Sequence, residues 1–323
     1  MALLARQRGR LPPRAPPPHP SPRDARPRPS LLLRPTPSLS GGAQGRNAHV
    51  ADFLLFHEPG AAPHAELPGA PRPRNVRQIE VRSLRELYRR KIGLNVSLDS
   101  GKIKDLKVTN GHVFERHIPP STYSHWAFGD VDVVYGDLGR FLTGPALAYD
   151  VLTFRGEDTC DKRTRTLFAG QLTAFANTPR TRALYRSVPG WERALLAPAF
   201  VFLDERLLPA HAMRKQPGDV ALLIAQLTDR FGQAAGSRTR VLWAEGRLLL
   251  LSGGCVLGEA ALLHLNKLKF THYNRSLAFD PDGFAFDARG GVVPLASGPQ
   301  EHRDALARLR RGELASCCRG GPR

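Results

Sequence analysis

Residues 81–120, VRSLRELYRRKIGLNVSLDSGKIKDLKVTNGHVFERHIPP, decide the fold that the sequence predicts. Ser83 and Glu86 have the spacing of a capping box, in which each side chain satisfies a backbone amide at the start of a helix. Gly93 occupies the position of a C-terminal cap. The apolar residues between these ends repeat at helical spacing: Leu84, Leu87, Tyr88 and Ile92. The stretch therefore predicts a helix over residues 83–93.

Beyond this helix, the same stretch has the pattern of β structure. Apolar and polar residues alternate over 94–98, as in a half-buried strand, and the Asp-Ser-Gly run at 99–101 is typical of a turn. Asn110 and Gly111 are the residues that a two-residue type I′ turn prefers. We therefore expect a hairpin around this dipeptide that places Val108 opposite Val113.

The rest of the chain alternates further helical and strand patterns. Helices are predicted over 166–177, from Thr178-Pro179 onward, over 219–231 and over 300–311. Strands are predicted over 126–135 and 195–203, and hairpins over 239–251 and 277–286. This order lacks a regular βαβ alternation. The predicted class is therefore α+β, with a mixed or antiparallel sheet and several hairpins packed by three or four helices.

Composition divides the chain into three parts. Residues 1–73 are rich in Arg and Pro and too poor in apolar residues to offset the entropy lost on ordering, so we expect a disordered leader and linker. Residues 74–312 are predicted to form a single α+β domain, and residues 313–323 a disordered tail. Within the leader, the apolar patch 53–56 indicates either an early strand packed on the domain or a short motif that docks on a partner.

The chain carries 47 Lys and Arg against 29 Asp and Glu, a formal net charge of +18. This excess favours acidic partners: nucleic acid, an anionic membrane surface or an acidic protein. A GC-rich genome would give the same bias toward Arg. The candidate residues for binding nucleic acid or a protein partner are Arg85, Arg89, Arg90, Lys91, Lys267 and Lys269.

Several classes of protein find no support in the sequence. No apolar run approaches the roughly 18 residues of a membrane span, so no transmembrane segment is predicted. The four cysteines lack metal-ligand spacing, which fits a reducing compartment. The sequence contains neither a G-x-S-x-G nucleophile motif nor a complete phosphate-binding loop, and no cofactor is predicted.

The strongest sign of catalysis is the segment Gly-Asp-Val-Asp at 129–132. Asp130 and Asp132 share one face of a predicted strand, where a pair of carboxylates can hold a divalent cation. An enzyme of this kind needs a third acid close in space, and Asp137 and Glu157 are the nearest in sequence. Solvent-facing acids on an amphipathic strand explain the same pattern, so a structural interpretation stays open.

Two blocks, RSLRELYRRKIGLNV and IKDLKVTNGHVFERHIPPSTY, resemble the central region of a nuclear phosphoprotein family of alphaherpesviruses, the product of the third gene of the unique long region. The specific similarity covers residues 78–123. The resemblance implies a non-enzymatic protein of the host nucleus and supplies no catalytic residues. Serines of the basic leader are candidate phosphorylation sites, since phosphate there would offset positive charge: Ser21, Ser30, Ser38 and Ser40.

These observations predict a non-enzymatic viral accessory nuclear protein that binds viral or host nuclear regulatory proteins and, through its basic surface, nucleic acid. The alternative is a metal-dependent nucleic-acid-processing enzyme that uses the carboxylate pair. A third possibility is a scaffold that offers a sheet edge or the 53–56 patch to a regulator.

Overall fold

A computed structural model gives the fold and describes residues 2–4, 30–32, 45–60, 73–99, 101–130, 133–156, 168–212, 224–229, 240–252, 255–264, 283–287, 291–294 and 300–311. Strands and helices are both numerous and do not alternate regularly. The predicted α+β class is confirmed.

The elements of the described residues are as follows. The strands are β1 (Ala2–Leu4), β2 (Ser30–Leu32), β3 (Asp52–His57), β4 (Val76–Glu80), β5 (His125–Gly129), β6 (Val133–Tyr135), β7 (Val151–Gly156), β8 (Leu172–Ala176), β9 (Ile224–Asp229), β10 (Arg240–Ala244), β11 (Arg247–Ser252), β12 (Cys255–Ala260), β13 (Leu262–His264), β14 (Phe284–Asp287) and β15 (Gly291–Pro294). The α-helices are α1 (Leu84–Ile92), α2 (Asn110–Val113), α3 (Pro179–Arg182), α4 (Trp191–Leu196), α5 (Leu208–Ala212) and α6 (Gln300–Arg310). Short 3-10 helices occur at Lys102–Thr109, Glu115–His117, Leu138–Arg140, Ala146–Ala148 and Leu184–Ser187, and a π-helical turn at Leu203–Leu207.

A mixed sheet forms the centre of the molecule. Its strand order is β1-β3-β2-β5-β8-β7-β9, with β4 paired to β3. Strands β2 and β4 run parallel to β3, and β5 runs parallel to β2. Strand β8 is antiparallel to both β5 and β7, and β9 is parallel to β7. Consequently β3, β5 and β7 all end at one side of the sheet, which we call the carboxyl edge.

Two smaller sheets complete the β structure. Strands β12-β11-β10-β14-β15 form an antiparallel sheet, and β13 pairs with β6 in a second, two-stranded one. Side chains that alternate along β3 show how these layers meet. Phe53 and Leu55 pack with Tyr135, Trp243 and the other buried residues of the smaller sheets. The other face of β3 packs against the helical segments. The central sheet is therefore covered on both faces.

Where local signals mark the ends of an element, the predictions are confirmed. Helix α1 begins after Ser83, whose Oγ accepts a hydrogen bond from the Glu86 amide at 3.2 Å, and it ends at Gly93 in the left-handed conformation (φ 85°). The hairpin β10–β11 turns at Glu245 and Gly246, which both have positive φ as a type I′ turn requires. Helices α3 and α6 and the strand at 53–56 also lie where the sequence places them.

The predicted hairpin around Asn110 and Gly111 is wrong, because both residues belong to helix α2. The preceding residues form the 3-10 helix Lys102–Thr109, and 94–98 is not a strand. Val108 and Val113 are buried in one cluster with Leu106, so their burial follows from helical packing and not from cross-strand pairing. Gly111 lets the backbone of α2 approach Trp126 closely, because a Cβ at this position would overlap the indole ring of Trp126.

Two predicted helices and one predicted strand are also wrong. Residues 172–176 of the predicted helix 166–177 form β8, and 224–229 of the predicted helix 219–231 form β9. The predicted strand 195–203 contains instead the end of α4 and the start of the π-helical turn. The sequence LTAFA of β8 lacks polar and apolar alternation because both faces of this strand are buried, so its pattern does not separate strand from helix. Residues 277–282 of the last predicted hairpin lie outside the described residues, and β14 pairs with β10 and β15.

Ordered structure also begins before the predicted domain start at residue 74. Strand β3 lies in the central sheet, where Phe53 and Leu54 are fully buried. Most of the predicted leader and the predicted tail 313–323 lie outside the described residues. Among the helices that the structure describes, none is long and apolar enough to span a membrane.

We expect the substitution Gly111→Ala to destabilise the protein by about 1–3 kcal/mol, the usual cost of overfilling a packed core. The matched control is Gly101→Ala, because Gly101 has a helical φ of −73° and a Cβ at this position would have no other atom within 4 Å. Urea unfolding of both variants measures the difference. Equal stability of the two variants would contradict the close approach of Gly111 to Trp126.

Candidate functional site

The side chains with the most unusual environment meet at the carboxyl edge of the central sheet. Asp130 directly follows β5, and its Oδ1 accepts a hydrogen bond of 2.5 Å from Lys107 Nζ. Lys107 also donates to the Gly170 carbonyl at 3.1 Å. Its side chain is only 12% exposed, so the charge of this lysine points into the protein.

A second carboxylate approaches the same lysine from the π-helical turn. Asp204 is 1% exposed, and its Oδ2 lies 3.7 Å from Lys107 Nζ. Its Oδ1 is buried and has no hydrogen-bond partner among the described residues. Burial raises the pKa of Asp204 to about 7, against the opposing effect of the Lys107 charge. A carboxyl group with such a pKa stands near its titration point at neutral pH.

Glu205 and His264 complete the group. Burial raises the pKa of Glu205, and its carboxylate lies so close to Gly170 that a Cβ there would overlap it. His264, at the end of β13, places Nε2 at 3.6 Å from Asp130 Oδ2. We call Lys107, Asp130, Asp204, Glu205 and His264 together the acidic cluster.

Lys107 keeps its charge inside this cluster. Burial alone would lower the pKa of an ammonium group, but the carboxylates of Asp130 and Asp204 outweigh it and raise the pKa of Lys107. The Lys107 ammonium therefore offsets the charge of two carboxylates that would otherwise repel each other where little water reaches them. The cluster still holds more carboxylates than lysines.

The cluster has the groups that proton transfer and cation binding require. Carboxylates bind Mg²⁺ and Mn²⁺, and an imidazole beside them adds a nitrogen donor. Among the residues that the structure describes, however, no three His, Cys, Asp or Glu side chains are placed to hold a metal ion by themselves. Asp132, the second acid of the Asp-Val-Asp segment, lies outside those residues. A cation at Asp130 would thus need further ligands from Asp132 or from a substrate.

The sequence identified only part of this cluster. Asp137, expected as a third acid, instead accepts a hydrogen bond from Gly139 N at the start of a 3-10 helix and lies 3.4 Å from His49. Glu157 lies outside the described residues. The acids that do join Asp130 and Lys107 are Asp204 and Glu205. They stand more than 70 positions away from Asp130 in a segment without a motif.

The predicted basic face of α1 is partly neutralised. Arg89 forms an ion pair of 2.6 Å with Glu86, and Lys91 one of 2.6 Å with Glu115. Arg85 and Arg90 are exposed. Of the other predicted residues, Ser30 begins β2, whereas Lys267, Lys269, Ser21, Ser38 and Ser40 lie outside the described residues.

We expect Lys107→Met to destabilise the protein by about 3–5 kcal/mol, since it leaves buried carboxylates without their cation. Adding Asp204→Asn to this variant should recover part of the loss. The control is Lys91→Met, which breaks the more exposed pair with Glu115 and should cost less than about 1 kcal/mol. Thermal and urea unfolding compare the variants. A Lys107→Met protein as stable as Lys91→Met would show that the cluster does not depend on this charge.

Comparison with known proteins adds a family without a known activity. Residues 46–278 match the family described as "Family of unknown function (DUF6625)", and the chain belongs to that family. The matched region includes every residue of the acidic cluster. No curated protein sequence matches the chain significantly.

Proposed function

We propose that this member of the DUF6625 family is a divalent-cation-dependent enzyme that acts on a phosphate-bearing substrate at the acidic cluster. The observation that carries the proposal is the convergence of Asp130, Asp204 and Glu205 on the buried Lys107 at the carboxyl edge of the sheet. In open sheets with parallel strands, ligands bind outside the carboxyl ends of the strands. The sequence favoured a binding protein, and of these converging acids it identified Asp130 alone.

A divalent cation fits the chemistry of Asp130. Mg²⁺ is typically held by one or two carboxylates and completes its coordination with water and substrate phosphates. Asp130 stands at a strand end, and Asp132 follows two residues later in the chain. When bound, such a cation supplies Lewis-acid stabilisation of negative charge on phosphate oxygens.

The remaining residues of the cluster prepare Asp130 for this role. Lys107 fixes Oδ1 through its hydrogen bond, and His264 lies on the side of Oδ2. The cluster holds three carboxyl groups and one lysine, so a divalent cation would offset the negative charge that an anionic substrate meets there. This surplus of carboxylates is the reason for proposing cation dependence instead of a simple anion site.

Titration of the metal-free protein with Mn²⁺ tests the proposal. We expect calorimetry to detect binding that is tightened by ADP, GDP or UDP as phosphate-bearing probes. Asp130→Asn should weaken Mn²⁺ binding at least about 10-fold, since it removes a charged ligand. Asp137→Asn is the matched control, because Asp137 is also an acid on a connection but lies outside the cluster. If the wild-type protein binds no Mn²⁺, with or without these nucleotides, the proposal of a cation-dependent enzyme is refuted.

The exposure of Arg85 and Arg90 on one helix favours a second candidate, the binding protein predicted from sequence. In this proposal the chain is a viral accessory protein of the host nucleus, phosphorylated in its basic leader, that binds nuclear regulatory proteins or nucleic acid. The resemblance to the alphaherpesvirus phosphoproteins supports it. Both arginine side chains are exposed, so a partner can reach them.

Salt dependence of nucleic-acid binding tests this second candidate. We expect the double variant Arg85→Ala/Arg90→Ala to bind duplex DNA and RNA more weakly. The slope of log affinity against log salt should fall by about 1 for each phosphate that the variant no longer neutralises. Arg89→Ala is the control, since Glu86 already neutralises Arg89. Fluorescence anisotropy at several salt concentrations gives the slopes. Unchanged slopes in the double variant would exclude these two arginines as a nucleic-acid site.

A further inference from the structure

A buried phenol links an arginine to a histidine on the side of the central sheet that the helical segments cover. Tyr185, on the 3-10 helix Leu184–Ser187, has no exposed surface, and its OH accepts a hydrogen bond of 3.0 Å from Arg186 Nε. His112 Nδ1, on α2, lies 2.8 Å from the same oxygen. Because a guanidinium group can only donate, the phenol proton is free to pass along a hydrogen bond to His112 Nδ1. An imidazole that accepts at Nδ1 carries its own proton on Nε2, where it serves as a donor.

The Arg186 guanidinium is held between two aromatic rings. It lies 5.7 Å from the centre of the Tyr185 ring and 5.9 Å from that of Trp191. These rings meet edge to face, with their centres 5.2 Å apart. Among the described residues no carboxylate pairs with this exposed arginine, and its hydrogen bond to the phenol uses Nε alone. The two terminal nitrogens are therefore available as donors on a side chain that is already fixed in place.

Two further cations lie near His112 and share one acid. The Glu115 carboxylate is 2.6 Å from Lys91 Nζ and 3.8 Å from the Arg182 guanidinium. The pKa of His112 is lowered by burial and next by the charge of Arg186, with Lys91 and Arg182 acting in the same direction and Glu115 against them. The imidazole is therefore neutral at neutral pH and lies in a positive potential. We call Lys91, His112, Glu115, Arg182 and Arg186 together the His112 cluster.

The balance of charge in this cluster predicts the ligand. Its three cations face one carboxylate, so two positive charges remain without a counterion in the cluster. A phosphate monoester carries a charge of about −1.5 to −2 at neutral pH and has three strong acceptor oxygens. The fork of donors on an arginine matches the geometry of a phosphate group, and hydrogen bonds between ionised partners are the strong ones.

We propose that the His112 cluster binds a phosphate group, free or as a monoester, with the Arg186 guanidinium and His112 Nε2 as donors and with Lys91 and Arg182 offsetting the remaining charge. This site shares no residue with the acidic cluster and needs no divalent cation. Tyr185 acts here as a positioning residue, because its one oxygen orients both donors.

The test follows the His112 ring signal by NMR while inorganic phosphate is added to the metal-free protein at about pH 7.5, where phosphate is largely a dianion. His112→Gln identifies the signal. We expect a shift that saturates, whereas sodium chloride at equal ionic strength only screens the cations and should give a smaller, non-saturating change. Tighter binding of AMP than of inorganic phosphate would support a nucleotide as the source of the group, and equal affinity would support recognition of the phosphate alone. A response no larger than that to sodium chloride overturns the proposal.

Variants of exposed arginines separate a specific site from general attraction to a basic chain. Arg186→Gln should weaken phosphate binding at least about 10-fold, since it removes charge-assisted hydrogen bonds. Arg74→Gln is the matched control, because it makes the same charge change at an exposed arginine just before β4 and outside the cluster. Tyr185→Phe should also weaken binding, although it changes no charge. Wild-type affinity in Arg186→Gln, or an equal loss in Arg74→Gln, overturns the site and leaves the proposed Mn²⁺ binding at the acidic cluster untouched.

Discussion

The acidic cluster depends on one buried ammonium group, Lys107 Nζ. It joins a 3-10 helix to the end of β5 through Asp130 and to the π-helical turn through Asp204. Without it, two carboxylates in a poorly solvated place would face each other with like charges, and protonation would be the only relief. With it, the charge of Lys107 opposes the rise that burial causes in the pKa of Asp204.

The burial of the central sheet on both faces creates the place in which this ammonium lies. Around β3, one face packs on the smaller sheets and the other on the helical segments, so the ends of the inner strands are where polar groups emerge. Strands β3, β5 and β7 end on the same side. Side chains that bind or react with a ligand are therefore expected on the connections that leave these ends. Asp130 occupies the first position after β5. The two-sided core therefore determines where a site can form, and the connecting segments determine what it contains.

Sequence reasoning succeeded where residues specify their own conformation. Ser83 and Gly93 mark the ends of α1, and Glu245-Gly246 marks a hairpin turn, because caps and positive φ values are local properties. It failed where contacts with residues distant in sequence determine the conformation. Asn110-Gly111 prefers a hairpin turn locally, yet Gly111 is required for its contact with Trp126. Strand β8 escapes detection because its neighbours bury both of its faces.

The same distinction applies to the acidic cluster. Asp130 belongs to the local pattern Asp-Val-Asp, whereas only the tertiary fold brings Asp204 and Glu205 to it. The left-handed Phe202 gives no sign in the sequence, and the amides on either side of it donate to Asp105, almost 100 residues earlier.

The lysines of residues 102–107, KIKDLK, limit what net charge says about function. Counted by type, Lys102, Lys104 and Lys107 add three charges to a strongly basic chain and suggest a surface for anions. In the structure, Lys102 is fully buried against Asp105, and Lys107 is largely buried between Asp130 and Asp204. Lys104 alone of the three is exposed, and its ammonium lies 5.5 Å from the Phe200 ring centre. Charges used in this way hold a fold and a cluster of acids together. A basic stretch of sequence is therefore not the same as a basic surface, and here the interior placement of two lysines is the stronger guide to function.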